Sequence, residues 1–309
     1  MRTAIPLTVL ATALACSLAT APANARARVF VASYGNDANP CTFGSPCKTF
    51  QVAVNAVDAG GEVTAIDSAG FGPISINKSV TITSPNGVEA GIVVSNGGDG
   101  IDISGSGAVV VLRGLTLEGD GFGANGISLT SGAGLTITNC VVKDFNIGVS
   151  VEPNDGSIDV IVTDTIISGN QIGFLYEPAG GSPTALLALS HVTATNNVDT
   201  GLLFDGRNSA STNVAIADSF VSENSSGIVT CCGASLIISI DNTTVHGNGL
   251  VGIHAQTPSR VLLSRSVIQG NRTGIGNATA NSFFTYGNNL IDLNANNIDV
   301  PLNTSVNLR

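Results

Sequence analysis

Apolar and polar residues along the chain follow a pattern that recurs about every 25 residues. A glycine followed by an apolar residue stands at Gly100-Ile101, Gly126-Ile127, Gly148-Val149, Gly173-Phe174, Gly201-Leu202, Gly227-Ile228, Gly252-Ile253 and Gly274-Ile275, with steps of 26, 22, 25, 28, 26, 25 and 22 residues. Ahead of each pair lies a second unit: apolar alternating with polar, a polar turn residue, then another short apolar run. Leu135–Val142, Val160–Ile167 and Val261–Ile268 are examples. The turn residues of this unit (Gly114, Asn139, Asp164, His191, Asp218, Asn242, Arg265, Asn288) step by 25, 25, 27, 27, 24, 23 and 23. Two independent markers share one period, the signature of a stacked repeat. Each repeat holds three short strands with period-2 alternation. Leucine-rich repeats have a similar length, but their Leu/Asn frame and helical half are missing. The pattern therefore predicts an all-β, single-stranded, right-handed parallel β-helix of about nine rungs, each rung pairing with the next about 4.8 Å along the axis.

A second asparagine set precedes the glycine pairs: Asn170, Asn196, Asn224, Asn248 and Asn271. Asparagine tolerates left-handed backbone and can hydrogen-bond its equivalents above and below, so an asparagine ladder is expected in one turn. Solenoid ends need caps. Residues 48–58 carry apolar side chains at 50, 53, 54 and 57, a helical spacing stopped by Gly60-Gly61, and Val63–Ile66 opens the first rung.

The segment Pro46-Cys-Lys-Thr-Phe-Gln-Val-Ala-Val-Asn-Ala and the strand after Gly60-Gly61, with the rungs that follow to about residue 300, resemble the pectate-lyase-like β-helix superfamily. More narrowly, Asn36-Asp-Ala-Asn-Pro-Cys41 and Pro46–Phe50 look like secreted bacterial right-handed β-helix repeat proteins of undefined function. The resemblance implies a groove along one sheet, with paired carboxylates in hydrolases or Ca²⁺-binding Asp plus Arg or Lys in lyases.

Composition adjusts this picture. Only 11% of the 309 residues are charged, with a net charge of −10, 37 Gly, 29 Asn, three Lys and six Glu, and the mean hydropathy is +0.34. High hydropathy with low charge excludes a disordered chain, scarce Lys and Glu exclude a helical bundle, and the acidic balance excludes a phosphate-backbone binder, so no nucleic-acid partner is expected. Arg2, an apolar run from Ile5 to Leu18 and Ala23-Asn24-Ala25 predict a signal peptide cleaved near Ala25-Arg26, hence a secreted or periplasmic protein. No later run is long enough to span a membrane. The expected layout is a signal peptide at 1–25, a capping loop and helix at 26–60, the β-helix at 61–300 and a tail at 301–309. Cys41 and Cys47 flank a short Gly/Asn/Pro-rich loop that a disulfide closes readily. The vicinal Cys231-Cys232 is either a bridge or one side chain in and one out.

Candidate chemistry belongs on the outward side of the strand beginning at each glycine pair. With Ile101, Ile127, Val149, Phe174, Leu202, Ile228 and Ile253 facing inward, the next residues face out: Asp102, Ser128, Ser150, Leu175, Leu203, Val229 and His254. This predicts an exposed apolar stripe of Leu175, Leu203 and Val229, suited to a polymer or a second subunit, with Phe174 and Tyr176 turned inward. Two residues on, Glu152, Glu177 and Asp205 fall on three successive rungs, with Arg207 two residues from Asp205. Stacked carboxylates repel unless a cation intervenes, so this acidic ladder is a candidate Ca²⁺ or catalytic carboxylate site. The small polar column Cys140, Thr165, Ser219, Thr243 and Ser266 reads as internal stacking. His191, His246 and His254 lie on different faces and give no metal-ligand spacing. Turns are mostly under ten residues, so walls for a deep groove are not expected. The chain thus reads as a non-catalytic extracellular β-helix binding a polysaccharide, a cell-surface partner or a second copy of itself. The alternative is a divergent polysaccharide lyase or glycoside hydrolase acting on acidic polysaccharide.

Overall fold

Strands of three to seven residues are too short to stand alone, and they become stable here by stacking in register. The computed structural model describes residues 26–154, 156–233, 235–256, 258–276 and 283–299. The expected signal peptide at 1–25 and the expected tail at 301–309 lie outside the described residues. The chain coils into a parallel β-helix with three faces. The first is an eleven-stranded sheet running from Arg28–Val31 to Phe283–Thr285, all neighbours parallel. Its inward column reads Leu135, Val160, Leu187, Val214, Ile238, Val261 and Phe283, in unbroken register and buried throughout. The ten strands of this sheet from Gly61–Ala65 onward are separated by nine turns, matching the expected rung count.

The second and third faces are narrower. Val141–Val151 and Leu115–Leu129 each bend across both. Along the third face Ile127, Val149, Phe174, Leu202, Ile228, Ile253 and Ile275 stack inward, all fully buried. Phe174 and Tyr176 point inward as expected, and the Phe174 and Phe204 rings meet at 5.7 Å.

Between the first and second faces the chain turns on a single left-handed residue per rung. Gly114, Asn139, Asp164, His191, Asp218, Asn242 and Arg265 all have φ between 44° and 70°, so these members of the second repeat marker are this turn; at the last one Gly287 (φ 77°) is left-handed and Asn288 is not. Beneath it the small polar column is internal: Thr165, Ser219, Thr243 and Ser266 are buried, and each hydroxyl donates to the carbonyl two residues earlier. Burial pushes the Cys140 thiol at the head of this column up to about 11, and it is unpaired.

The asparagine ladder fills the turn between the second and third faces, with one member corrected. Its steps are Asn170, Asn197, Asn224, Asn248, Asn271 and Asn294, and from Asn197 onward each Oδ1 accepts from the backbone N–H and the amide of the Asn one rung earlier at 2.9–3.1 Å. Asn196 is not a rung of it. It takes the left-handed conformation (φ 56°) and points to solvent, which turns the next residue, Asn197, inward. The recurring glycines lie against this ladder. A Cβ on Gly173 would sit 2.4 Å from the Gly201 carbonyl oxygen and 2.9 Å from the Asn197 amide nitrogen, so close approach, not a left-handed backbone, demands glycine there.

At the N-terminal end Phe50–Ala56 forms the capping helix, with Thr49 accepting from the Val52 N–H. Phe50, Ala53 and Val54 close the core, and the Phe50 ring meets Phe71 at 4.9 Å. Cys41 and Cys47 are bridged as expected. No helix among the described residues is long and apolar enough to cross a membrane.

Candidate binding cleft

An open cleft of about 540 Å³ lies at the corner of the second and third faces. It is built by an excursion inside Leu115–Leu129. Glu118 is in register with Val93 below and Lys143 above. The chain then leaves the strand at Gly119, turns through left-handed Asp120 (φ 49°) and Gly121 (φ 73°), and returns at Gly123. Phe122 at its tip is 69% exposed. The excursion is short enough to read as a rung turn in sequence. What raises it into a wall is Phe145, buried beneath it. A Cβ on Gly119 or Gly123 would come within 2.8 or 2.4 Å of the Phe145 ring, so two glycines let the loop rest on that ring. The Phe145 N–H donates to Asn170 Oδ1 at 3.0 Å, which ends the asparagine ladder on this wall.

Glu118, Asp120 and Asp144 bring three carboxylates to the cleft, with Asn146, Gln171 and Val198 continuing it over the following rungs. Lys143 Nζ lies 3.1 Å from Glu118 and 3.9 Å from Asp144, and its hydrogen bond to Glu118 raises its pKa further. One ammonium against three carboxylates leaves the cleft acidic. Carboxylates and amides accept and donate to hydroxyls, and an exposed ring offers an apolar face. Such a set suits a polyhydroxylated, uncharged ligand.

Glu152, Glu177 and Asp205 fall on successive rungs, but they are not a bare carboxylate stack. Register carries Val151 to Tyr176 to Phe204, so Glu152, Glu177 and Asp205 follow one another, and Cys231 pairs with Asp205 on the next rung. Arg207 neutralises the upper part. Its backbone N–H and Nε donate to the two Asp205 oxygens at 2.9 and 2.8 Å, and its terminal nitrogen reaches Glu177 at 3.3 Å. Asp205 is only 4% exposed. Glu152 accepts instead from the Ser150 hydroxyl. Asp205, Cys231 and Cys232 place one oxygen and two sulfurs within 4.8 Å of one another. The two cysteines are bridged to each other, so the sulfurs offer no thiolate, and the guanidinium already holds both Asp205 oxygens. This arrangement does not fit Ca²⁺.

The predicted apolar stripe is not exposed. Leu175 is 5% exposed and Leu203 and Val229 are half-buried. Ser150, Leu175, Leu203 and Val229 stack in register, so each side chain is one strand spacing from the next and covers its neighbours. At the N-terminal end of the same column Asp102 shares a pocket of about 270 Å³ with Asp99, Gln51 and Ser75. Burial, and then the charge of Asp99, raises the Asp102 carboxyl above its ordinary range. Asp99 escapes notice in the sequence because it stands in the turn before the strand, outside the outward column. At the other end burial lowers the pKa of His254, against an opposing pull from Asp299. His246 lies elsewhere, on the second face at Thr244–His246, so the histidines do not converge.

A right-handed β-helix region family model matches residues 74–215. No curated protein matches the chain in sequence. Among solved structures, pectate lyase Pel9A is similar with a TM-score of 0.57 and 16% identity, over 89% of this chain and 78% of that one. A rhamnogalacturonan lyase has a TM-score of 0.44 at 15% identity, over 80% of this chain and 75% of its own. The GH136 lacto-N-biosidase from Eubacterium ramulus has 0.43 at 12%, over 90% and 66%. At 16% identity the first likeness is one of fold. With parallel in-register rungs, a helical N-terminal cap and a family model over the central turns, the chain is a right-handed parallel β-helix protein of the pectate-lyase-like fold.

Proposed function

We propose that this is an exported, non-catalytic β-helix that binds an uncharged polysaccharide in the cleft under Phe122. The observation that carries the reading is the joining of an exposed aromatic ring to hydroxyl-binding carboxylates and amides in one open groove that follows the rungs from Gly97 to Val198. The β-helix solenoid presents such linear surfaces naturally. The acidity of the cleft argues for a neutral chain over an acidic one. Two features support a binding role without turnover: Lys143 holds Glu118 and Asp144, and Arg207 holds Asp205 and Glu177. The bridges Cys41–Cys47 and Cys231–Cys232 and the signal-like N-terminus support export into an oxidising compartment.

The test is titration calorimetry of the purified protein against neutral and acidic oligosaccharides, with products followed by chromatography. Binding of a neutral chain, weakened at least about tenfold in Phe122→Ala, is the expected outcome. Binding of neither class, or affinity untouched by Phe122→Ala, overturns the cleft assignment. Released product lost in Glu118→Gln overturns the non-catalytic part.

A further inference from the structure

We propose that the outer face of the eleven-stranded sheet is a homodimer interface, where a second copy of this chain packs face to face about a two-fold axis parallel to the strands. This face is on a different sheet from the cleft, and the proposal stands without the polysaccharide reading. It carries the exposed apolar surface expected of the Leu175 stripe, displaced to another side of the molecule. Leu186 is 57% exposed and Ile161 45%, and with Ala188, Ala215 and Ile237 they line a shallow depression of about 500 Å³.

What identifies the occupant is the order of residues along two columns. One outward column reads Asp159, Leu186, Asn213, Ile237, Arg260 on five successive strands. The neighbouring column reads Ile161, Ala188, Ala215, Ser239, Leu262. A two-fold axis lying along the middle strand, Ser211–Ala217, keeps each column opposite itself and reverses the order of rungs. Asp159 then faces Arg260 of the second copy, Leu186 faces Ile237, Ile161 faces Leu262, Ala188 faces Ser239, and Asn213 and Ala215 each face themselves. The pattern is self-complementary, as a closed two-fold interface requires.

The charges make the choice of partner specific. Asp159 and Arg260 are both exposed, and among the described residues neither makes an ion pair within the chain. Arg260 instead lies over the Phe284 ring at 4.9 Å, which holds it on this face. An apolar partner would bury both charges unpaired, at a cost. A second copy pairs both, twice. Each lies two strand spacings, about 10 Å, from the axis. The usual offset of about 30° between packed sheets moves them apart by about 5 Å at that radius, within reach of an arginine side chain.

The test is sedimentation velocity from about 1 to 200 µM on the full mature protein, with the variants Asp159→Arg, Arg260→Asp and the pair together. The expected result is a dimer whose dissociation constant rises on the order of 100-fold in either single variant, because like charges then face each other, and returns toward the parent value in the double variant. All substituted positions are exposed, so Tm of the variants serves as a folding check. A parent that stays monomeric throughout, a dimer indifferent to both single reversals, or a double variant no better than the singles overturns the proposal.

Discussion

The buried turn amides are the most demanding residues in the chain. Each ladder asparagine from Asn170 to Asn271 is almost fully buried yet carries two donors and an acceptor. The ladder satisfies them: Asn197 gives its amide to Asn224 Oδ1 and to the Ile167 carbonyl at 2.9 and 3.2 Å, and receives from the backbone and amide of Asn170. Removing one member leaves the Asn170 N–H buried without its acceptor, the costlier half of a broken hydrogen bond. Its sequence neighbour Asn196 supplies only a left-handed turn in solvent, a task glycine performs as well. Asn197→Ala should therefore cost about 2–4 kcal/mol, and Asn196→Gly no more than about 0.5 kcal/mol. Urea unfolding of both variants checks this, and equal losses would return Asn196 to the ladder. The slip between the two positions shows where sequence spacing stops. Adjacent asparagines fit one period equally well, and only the direction of the backbone decides which points inward.

The strands of the third face are legible in sequence because burial acts on them directly. Every residue expected inward, from Ile127 to Ile253, is buried, since alternation records which side meets the core. The outward residues are less legible. Whether Leu175 is exposed depends on what stacks beside it, and whether Glu177 and Asp205 form a bare acidic site depends on the reach of Arg207; neither contact leaves a periodic trace. The cleft leaves no periodic trace for the same reason: Phe145 supports the 119–123 excursion from a different rung, and its one visible sign in the sequence is an aromatic at the position where the later rungs carry asparagine. The Arg207 bridge gives a prediction at this level. Arg207→Ala should lower Tm, because Asp205 keeps its burial and loses its counter-charge. Millimolar Ca²⁺ should then raise the Tm of the variant and leave the parent unchanged. A parent stabilised by Ca²⁺ would restore the metal site first read from the spacing of the carboxylates.

Because each rung contacts only its neighbours, the stability of the whole is close to a sum of rung terms and interfaces. Length should then be adjustable in whole rungs and in no other unit. Val192 and Ser219 are equivalent positions 27 residues apart, linked by the Val192 N–H donating to Ser219 Oγ. Deleting 192–218 joins His191 to Ser219, so that His191 takes the place of its turn-column equivalent Asp218, Ile166–Ser168 meets Phe220–Ser222 and Asn224 Oδ1 moves into place for Asn170. The inward columns close without a change of pleat. The variant loses the Asp205–Arg207 pair and the Phe204 ring, and keeps every cleft residue except Val198. It should unfold cooperatively, with a Tm lower by no more than about 10 °C, and bind oligosaccharide as the parent does. A control lacking 192–204 removes the strands of the second and third faces and retains that of the first. Its rung cannot close, and it should be recovered only as aggregate. Circular dichroism melts and calorimetry on the two variants decide the matter. Failure of the whole-rung variant to fold would mean that coupling extends beyond nearest neighbours, while folding without ligand binding would move the binding site toward the rungs removed.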